Sequence, residues 1–261
     1  MSGCQRGALM KETNTTYSLR YVAFLDLLGF KTLVDQSDSN QEILDKINLA
    51  LEYTAGIRQD NYEGAMSLAK IDKHVTVFSD SIVISYATTM PGGGFQVLMD
   101  LVYICNDLLG IGIPVRGGVT VGKLIHDESK CFGPAMVDAY LMESEKAKYP
   151  RVIIDKKVLE YDLRRPGEAN TVEYEMGYLS DIVSVDSKDG EVFLDYLKQR
   201  NEFDEIEIYD DYIKRTRRFI KDNLKLYAEN KKVKSKYKWL KRYYNQTVTA
   251  VYGGKAEKLL I

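Results

Sequence analysis

Two aspartates carry the first chemistry visible in this sequence. Asp26 closes the run Tyr21-Val-Ala-Phe-Leu25, and Asp80 stands in Phe78-Ser-Asp-Ser81. A carboxylate straight after a near-continuous apolar run sits at the end of a buried strand, where little water reaches it. Either something positive offsets that desolvation, or the acid caps the helix that follows. The next residues, Leu27 to Lys31, pass through Gly29 and start a helix. Amides at a helix N-terminus attract anions. One short segment therefore offers an acid for a cation and amides for a phosphate.

The elements that must position these groups follow from periodicity. Tyr21 to Asp26 is strand one. Ser39-Asn-Gln-Glu42 has the form of a capping box, and Ile43, Ile47, Leu51 and Thr54 fall at helical spacing behind it, to about Arg58. Asn61 to Gly64 reads as loop. Leu68 to Phe78 and Ser81 to Ala87 alternate as strands two and three around the tight Ser79-Asp80 turn, with His74, Thr76 and Phe78 on one face. Phe95 to Leu109 is a helix with the stripe Leu98, Val102, Cys105. Ile113 to Leu124 is strand four. A third helix runs from Ala135 to Lys148, with Pro134 at its first turn, and Arg151 to Asp155 is a short strand. Strand–helix–strand–strand–helix–strand predicts an α+β fold with a ferredoxin-like βαββαβ core. In that topology the end of strand one and the two–three turn meet at one edge. Asp26 and Asp80, 54 positions apart, become neighbours. Two such carboxylates repel unless cations lie between them, and a pair of divalent metals is a recurrent device for displacement at phosphorus.

Beyond Lys156, Thr171 to Val185 and Val192 to Leu197 carry strand-like patches. Asp210 to Asn230 and Lys232 to Tyr244 are expected as long basic helices, with stripes Ile213, Ile220, Leu224, Tyr227 and Val233, Tyr237, Leu240, Tyr244. From Ile208 to Ile261 there are 15 Lys+Arg against 5 Asp+Glu, a net of +10, which leaves −12 on the remainder. The favoured explanation is a basic helical arm lying on an acidic body or on a dimer mate. The alternative is a tail that binds nucleic acid, its aromatic rings stacking on bases. Three domains are expected: a disordered lead over 1–19, a catalytic domain over 20–185 and a basic, mainly helical extension over 186–261. No apolar run of about 18 residues is present, which argues against a membrane span. Cys4, Cys105 and Cys131 lack metal-ligand spacing and point to a reducing cytoplasm, and His74 and His126 alone argue against a zinc site.

Four segments together resemble a known family. Ala23-Phe-Leu-Asp-Leu-Leu-Gly-Phe30 resembles the first metal motif of class III nucleotidyl cyclases, and Phe78-Ser-Asp-Ser81 falls where that family has its second metal aspartate. Val115-Arg-Gly-Gly-Val-Thr-Val-Gly122 looks like the strand whose arginine holds the triphosphate. Phe132-Gly133 with Asp138 to Ser144 is similar to the aromatic-glycine turn and helix that carry transition-state residues. The resemblance covers Tyr21 to Asp155, and within the family the chain looks like the stand-alone pyrimidine cyclases of the Pycsar antiphage system.

The resemblance implies that Asp26 and Asp80 hold two Mg²⁺ or Mn²⁺ ions, joined by the carbonyl of Leu27. Amides of Gly29, Phe30 and Lys31 would cradle phosphates, with Arg116 as a charged clamp. It further implies a nucleoside triphosphate substrate, a 3′,5′-cyclic product, a homodimer with the site at its interface, and a separate cyclic-nucleotide-responsive effector. By residue pattern alone, a surface partner of Asp127 or Glu128 is the favoured role for Arg116. Two departures stand out. The family's purine-selecting lysine aligns with His74 and its partner acid with Lys130, so a purine-reading pair is absent and a pyrimidine is favoured. An ammonium at Lys130 suits the O4 of uracil better than the amine of cytosine, which favours UTP over CTP. His74 as a plain strand residue is the competing view. The transition-state asparagine and arginine align with Val137 and Leu141. The missing charge must come from Arg116, Lys146 or Lys148, or else the chain is slow, inactive or a nucleotide-binding module. No Gly-Gly-Asp/Glu-Glu-Phe run is present, unlike diguanylate cyclases.

Overall fold

The computed structural model describes residues 15–57 and 72–261. The expected strand at Tyr21 is β1 (Ser18–Leu27), in which Tyr21 to Leu25 are buried and Asp26 is half-exposed. It begins inside the segment expected to be a disordered lead. Residues 1–14, the loop at 61–64 and the start of the second strand at 68–71 lie outside the described residues. After a turn at Gly29 the chain forms α1 (Phe30–Ser37) and α2 (Gln41–Gly56). The cap of α2 is Asn40 rather than Ser39: its side chain accepts from the amides of Glu42 and Ile43. β2 (Lys73–Phe78) and β3 (Ser81–Ala87) form the hairpin around Ser79-Asp80, and α3 (Gly93–Gly110) returns the chain to β4 (Val115–His126).

Among the described residues the strands make one sheet in the order β2-β3-β1-β4, continued by β6 (Val152–Ile154), β8 (Val192–Leu194) and β7 (Val183–Val185), with β5 (Cys131–Phe132) paired to β4. β1 is antiparallel to both β3 and β4, and β4 is parallel to β6. That is the order and sense of the expected βαββαβ unit, and the fold is α+β. The pleat sends odd residues of β1 (Tyr21, Ala23, Leu25) into the main core with Ile82, Ile84 and Tyr86 of β3 and the α3 stripe Leu98, Val102 and Cys105. Even residues, Val22 and Phe24, join Val83 and Leu124 in a smaller cluster. It is roofed by Ala135 and Ala139 of α4 (Pro134–Leu141).

The second half departs from expectation. The patch at Thr171 is not a strand but α6 (Val172–Ile182), which follows α5 (Lys156–Asp162). Thr171 caps it by accepting from the Tyr174 amide, and Glu173 and Glu175 lie in its first turn, where acids are favoured. The boundary expected at Val185 falls inside the β7–β8 hairpin, so the C-terminal segment shares the sheet with the body. The two basic helices are α7 (Ile206–Leu226) and α8 (Lys231–Tyr252). Of their stripes, Ile213, Ile220, Leu240 and Tyr244 are fully buried, Tyr237 is buried, and Leu224, Tyr227 and Val233 are half-buried; Trp239 and Tyr243, outside the expected stripes, are buried as well. Rings packed inward in this way are not a stacking platform for bases.

α8 is tied to the sheet by a buried charge cluster. Arg151, fully buried, donates to Asp186 at 2.9 Å and to Asp189 at 2.6 Å. Asp186 also accepts from Trp239 Nε1 at 2.6 Å and from Arg242 at 2.6 Å. Breaking a buried pair strands an uncompensated charge and costs ~3–5 kcal/mol, so this cluster fixes where α8 lies.

Candidate active site

Asp26, Asp80 and Arg116 come together at one end of the sheet. β1 registers Asp26 opposite Ser81 on one side and opposite Arg116 on the other. The Leu27 amide donates to the Asp80 carbonyl at 3.0 Å, which ties the end of β1 to the hairpin turn. Arg116 Nε donates to Asp26 Oδ2 at 2.9 Å. Arg116 is thus no partner of Asp127 or Glu128. Asp26 is no helix cap either, since the residue before α1 is Gly29 and no side chain caps it. Gly29 has φ +85°, and a Cβ there would meet nothing within 4 Å. The turn needs glycine for its backbone, and it leaves open space before the first amides of α1. Phe30 is buried and Lys31 exposed, so of these two only the amides are aligned along the helix start.

The structure adds Glu143 to this group. It lies in a π-helical turn, Met142–Lys146, that continues α4. Gly118 lets that turn approach: a Cβ at 118 would stand 2.5 Å from Met142 Cβ and 2.7 Å from the Ala139 carbonyl. The buried Glu143 carboxylate then reaches Arg116 Nε at 2.6 Å. The contact is close but poorly aligned for a hydrogen bond, and Oε1 has no other partner. One guanidinium therefore serves two acids. Burial raises the Asp26 carboxyl above its usual range, and the Asp80 charge adds to this against the opposing pull of Arg116. Burial likewise raises Glu143, opposed by Arg116 and assisted by Asp26. The chemistry on offer is a cluster of acids short of positive charge beside an arginine and a helix start.

His74 and Lys130 are not in that group. His74 Nε2 lies 3.1 Å from Asp72, and its ring centroid is 5.5 Å from that of His126. Its neighbours form a polar seam across the even face of the sheet. His126 contacts Thr76 at 3.0 Å and Ser85 at 2.8 Å, and Arg20 donates to Ser85 at 2.8 Å. Lys130 sits in the β4–β5 turn, 3.1 Å from Asp127. Among the described residues His74 and Lys130 form no ion pair or hydrogen bond with each other. Val137 and Leu141 are 56% and 40% exposed, apolar and unable to carry charge. Of the three replacements expected for that charge, Arg116 is in the cluster. Lys146 turns to Glu191 at 3.9 Å, and Lys148 is exposed.

No protein-family model and no curated protein matches the chain. Similar solved structures include the monomeric guanylyl cyclase domain of the RhoGC fusion protein from the aquatic fungus Blastocladiella emersonii. It is 14% identical, with TM-score 0.47 over 69% of this chain and 96% of that one. The catalytic core of a rhodopsin-guanylyl cyclase with converted specificity, in complex with ATPalphaS, has 12% identity and TM-score 0.44 over 69% of this chain and 96% of that one. A bacterial light-regulated adenylyl cyclase has 13% identity and TM-score 0.36 over 57% of this chain and 46% of that one. All three TM-scores lie below 0.5.

Proposed function

We propose that the chain is a nucleotidyl cyclase that closes a pyrimidine nucleoside triphosphate, UTP ahead of CTP, to its 3′,5′-cyclic monophosphate and releases pyrophosphate. The observation that carries this is the meeting of Asp26, Asp80 and Arg116 at one end of a β2-β3-β1-β4 sheet, beside Gly29 and the start of α1.

Asp26 and Asp80, with the Leu27 carbonyl, fit a hard divalent ion. Among the described residues no group of three or more His, Cys, Asp or Glu could hold a metal. Mg²⁺ characteristically takes one or two carboxylates and completes its shell with water and phosphate oxygens, and Mn²⁺ shares its preference for oxygen. Two such ions would supply the acidity that ionises the ribose 3′-hydroxyl and the charge that meets the departing pyrophosphate. Arg116 exchanges a carboxylate for phosphate oxygens, its planar fork gripping two at once, while Glu143 keeps the guanidinium oriented. The amides of Gly29, Phe30 and Lys31 receive the remaining phosphate charge. In the homodimer, His74 and Lys130 of one protomer would contact the base whose phosphates lie at the Asp26–Arg116 centre of the other. Their pairs with Asp72 and Asp127 lie at the surface, where ion pairs contribute little, so a nucleobase can take the aspartates' place.

The working unit is a symmetric homodimer, its interface on the even face of the sheet beyond α4. Phe78, Val137, Tyr140 and Leu141 are exposed there, an apolar patch of the kind that marks an interaction surface. The product would act on a separate effector in antiphage defence, as the Pycsar resemblance implies. A nucleotide-binding module without turnover is the second reading, favoured by apolar Val137 and Leu141. Asp26→Asn and Asp80→Asn separate the two. Each should cut turnover of UTP with Mn²⁺ by at least about a hundredfold while thermal stability without metal hardly changes. Full activity in both variants would sink the cyclase reading.

A further inference from the structure

Lys236, in the second turn of α8, stands in the electrostatic reach of Arg116, Asp26 and Glu143, with Lys232 one turn before it. Its place follows from how α8 is seated. Trp239, one turn further on, stacks on Tyr149 with rings 4° from parallel and 5.8 Å apart. The Arg151 guanidinium lies over both rings, and the Arg151 carbonyl accepts from the Gly117 amide at 3.1 Å, next to Arg116 in β4. These contacts bring the first turns of α8 to the sheet end that holds Asp26. Lys236 is half-buried there, and among the described residues it makes no ion pair or hydrogen bond. Burial, then Arg116 and Lys232, hold its ammonium below the usual lysine range. Asp26 and Glu143 pull the other way but converge on Arg116 at 2.9 and 2.6 Å, so a half-buried ammonium with no ion-pair partner of its own among the described residues is left to meet an incoming anion.

We propose that Lys236 binds the polyphosphate of the nucleotide at the Asp26–Arg116 centre of its own chain, supplying the positive charge that Val137 and Leu141 do not. This rests on the cyclase reading above. A lysine suits the task because its flexible stem can follow a point charge through a reaction, where an arginine fork would have to be built in place. It also gives the charge asymmetry of the sequence a purpose. The basic arm folds onto the acidic body and delivers one cation to it.

The test uses the full chain with Lys236→Ala, Lys236→Arg and Asp26→Asn, each checked for native melting. Turnover of UTP with Mn²⁺ is measured alongside calorimetric binding of inorganic tripolyphosphate with Mn²⁺. Loss of one charge-assisted contact predicts about tenfold or greater loss of kcat/KM and of tripolyphosphate affinity in Lys236→Ala, with Lys236→Arg recovering most of the binding. Kinetic constants and affinity within about twofold of wild type in Lys236→Ala would overturn the proposal. If Asp26→Asn is inactive while Lys236→Ala is fully active, the cyclase reading stands and this inference alone fails. If the wild type turns over no triphosphate, tripolyphosphate binding decides. Weaker binding in Lys236→Ala supports an anion site, and equal or absent binding removes it.

Discussion

At the scale of single residues, the site is a problem of too many acids for the cations at hand. Asp26 and Glu143 converge on the one Nε of Arg116, and both carboxyls are raised by burial. Asp26 and Arg116 were legible in the sequence because each stands at a fixed point of a motif on a recognisable strand. Glu143 was not, because its partner lies 27 positions away and is reached only through the close packing that Gly118 permits. Lys236 was hidden for the same reason, since its place depends on the buried Arg151–Asp186–Trp239 contacts. Base choice is also decided at this scale. If Lys130 leaves Asp127 for O4 of uracil, Lys130→Glu should shift preference toward CTP, since a carboxylate accepts from the cytosine amine. A buried donor left unpaired against the wrong base costs ~1–3 kcal/mol, so the UTP:CTP ratio of kcat/KM should move by about tenfold to a hundredfold. An unchanged ratio means that Lys130 does not read the base.

At the scale of elements, β1 to β4 and the helices between them were visible because their patterns are local: an apolar run, alternation around a two-residue turn, a stripe at helical spacing. α6 was misread because Val172, Tyr174 and Tyr178 favour strands, although Thr171 with two acids in the first turn was a helix start in plain view. That helix carries a titratable contact to the core. Asp162, at the end of α5, accepts from the Gly94 amide of α3 at 2.7 Å, and burial together with Glu175 of α6 raises its carboxyl to about 7. An unfolded aspartate titrates near ~3.9, so folding favours the protonated form. The resulting stability is complete below about pH 4 and is lost as pH rises through about 7. Melting temperature of the wild type should therefore fall across that window relative to Asp162→Asn, which holds the Gly94 amide without a charge. Parallel profiles for the two proteins would show that Asp162 does not titrate in this way.

At the scale of the whole molecule, one sheet runs from the β2–β3 hairpin to the β7–β8 hairpin, and the C-terminal helices complete the same core rather than hang from it. No helix among the described residues is long and apolar enough to cross a membrane. What this single core leaves exposed on the α4 side of the sheet are Phe78 at the end of β2 and Val137, Tyr140 and Leu141 of α4. If a second copy covers them, Leu141→Glu should sediment as a monomer and lose activity while melting like the wild type. An active monomer, of variant or wild type, would contradict the shared site. The central claim is the reaction itself. The full chain is incubated in turn with ATP, GTP, CTP and UTP in the presence of Mn²⁺, with Asp26→Asn as control, and products are identified by mass spectrometry. The expected products are pyrophosphate and a 3′,5′-cyclic pyrimidine nucleotide, most from UTP and none from the control. No cyclic product from any of the four, or the same product from Asp26→Asn, would contradict it.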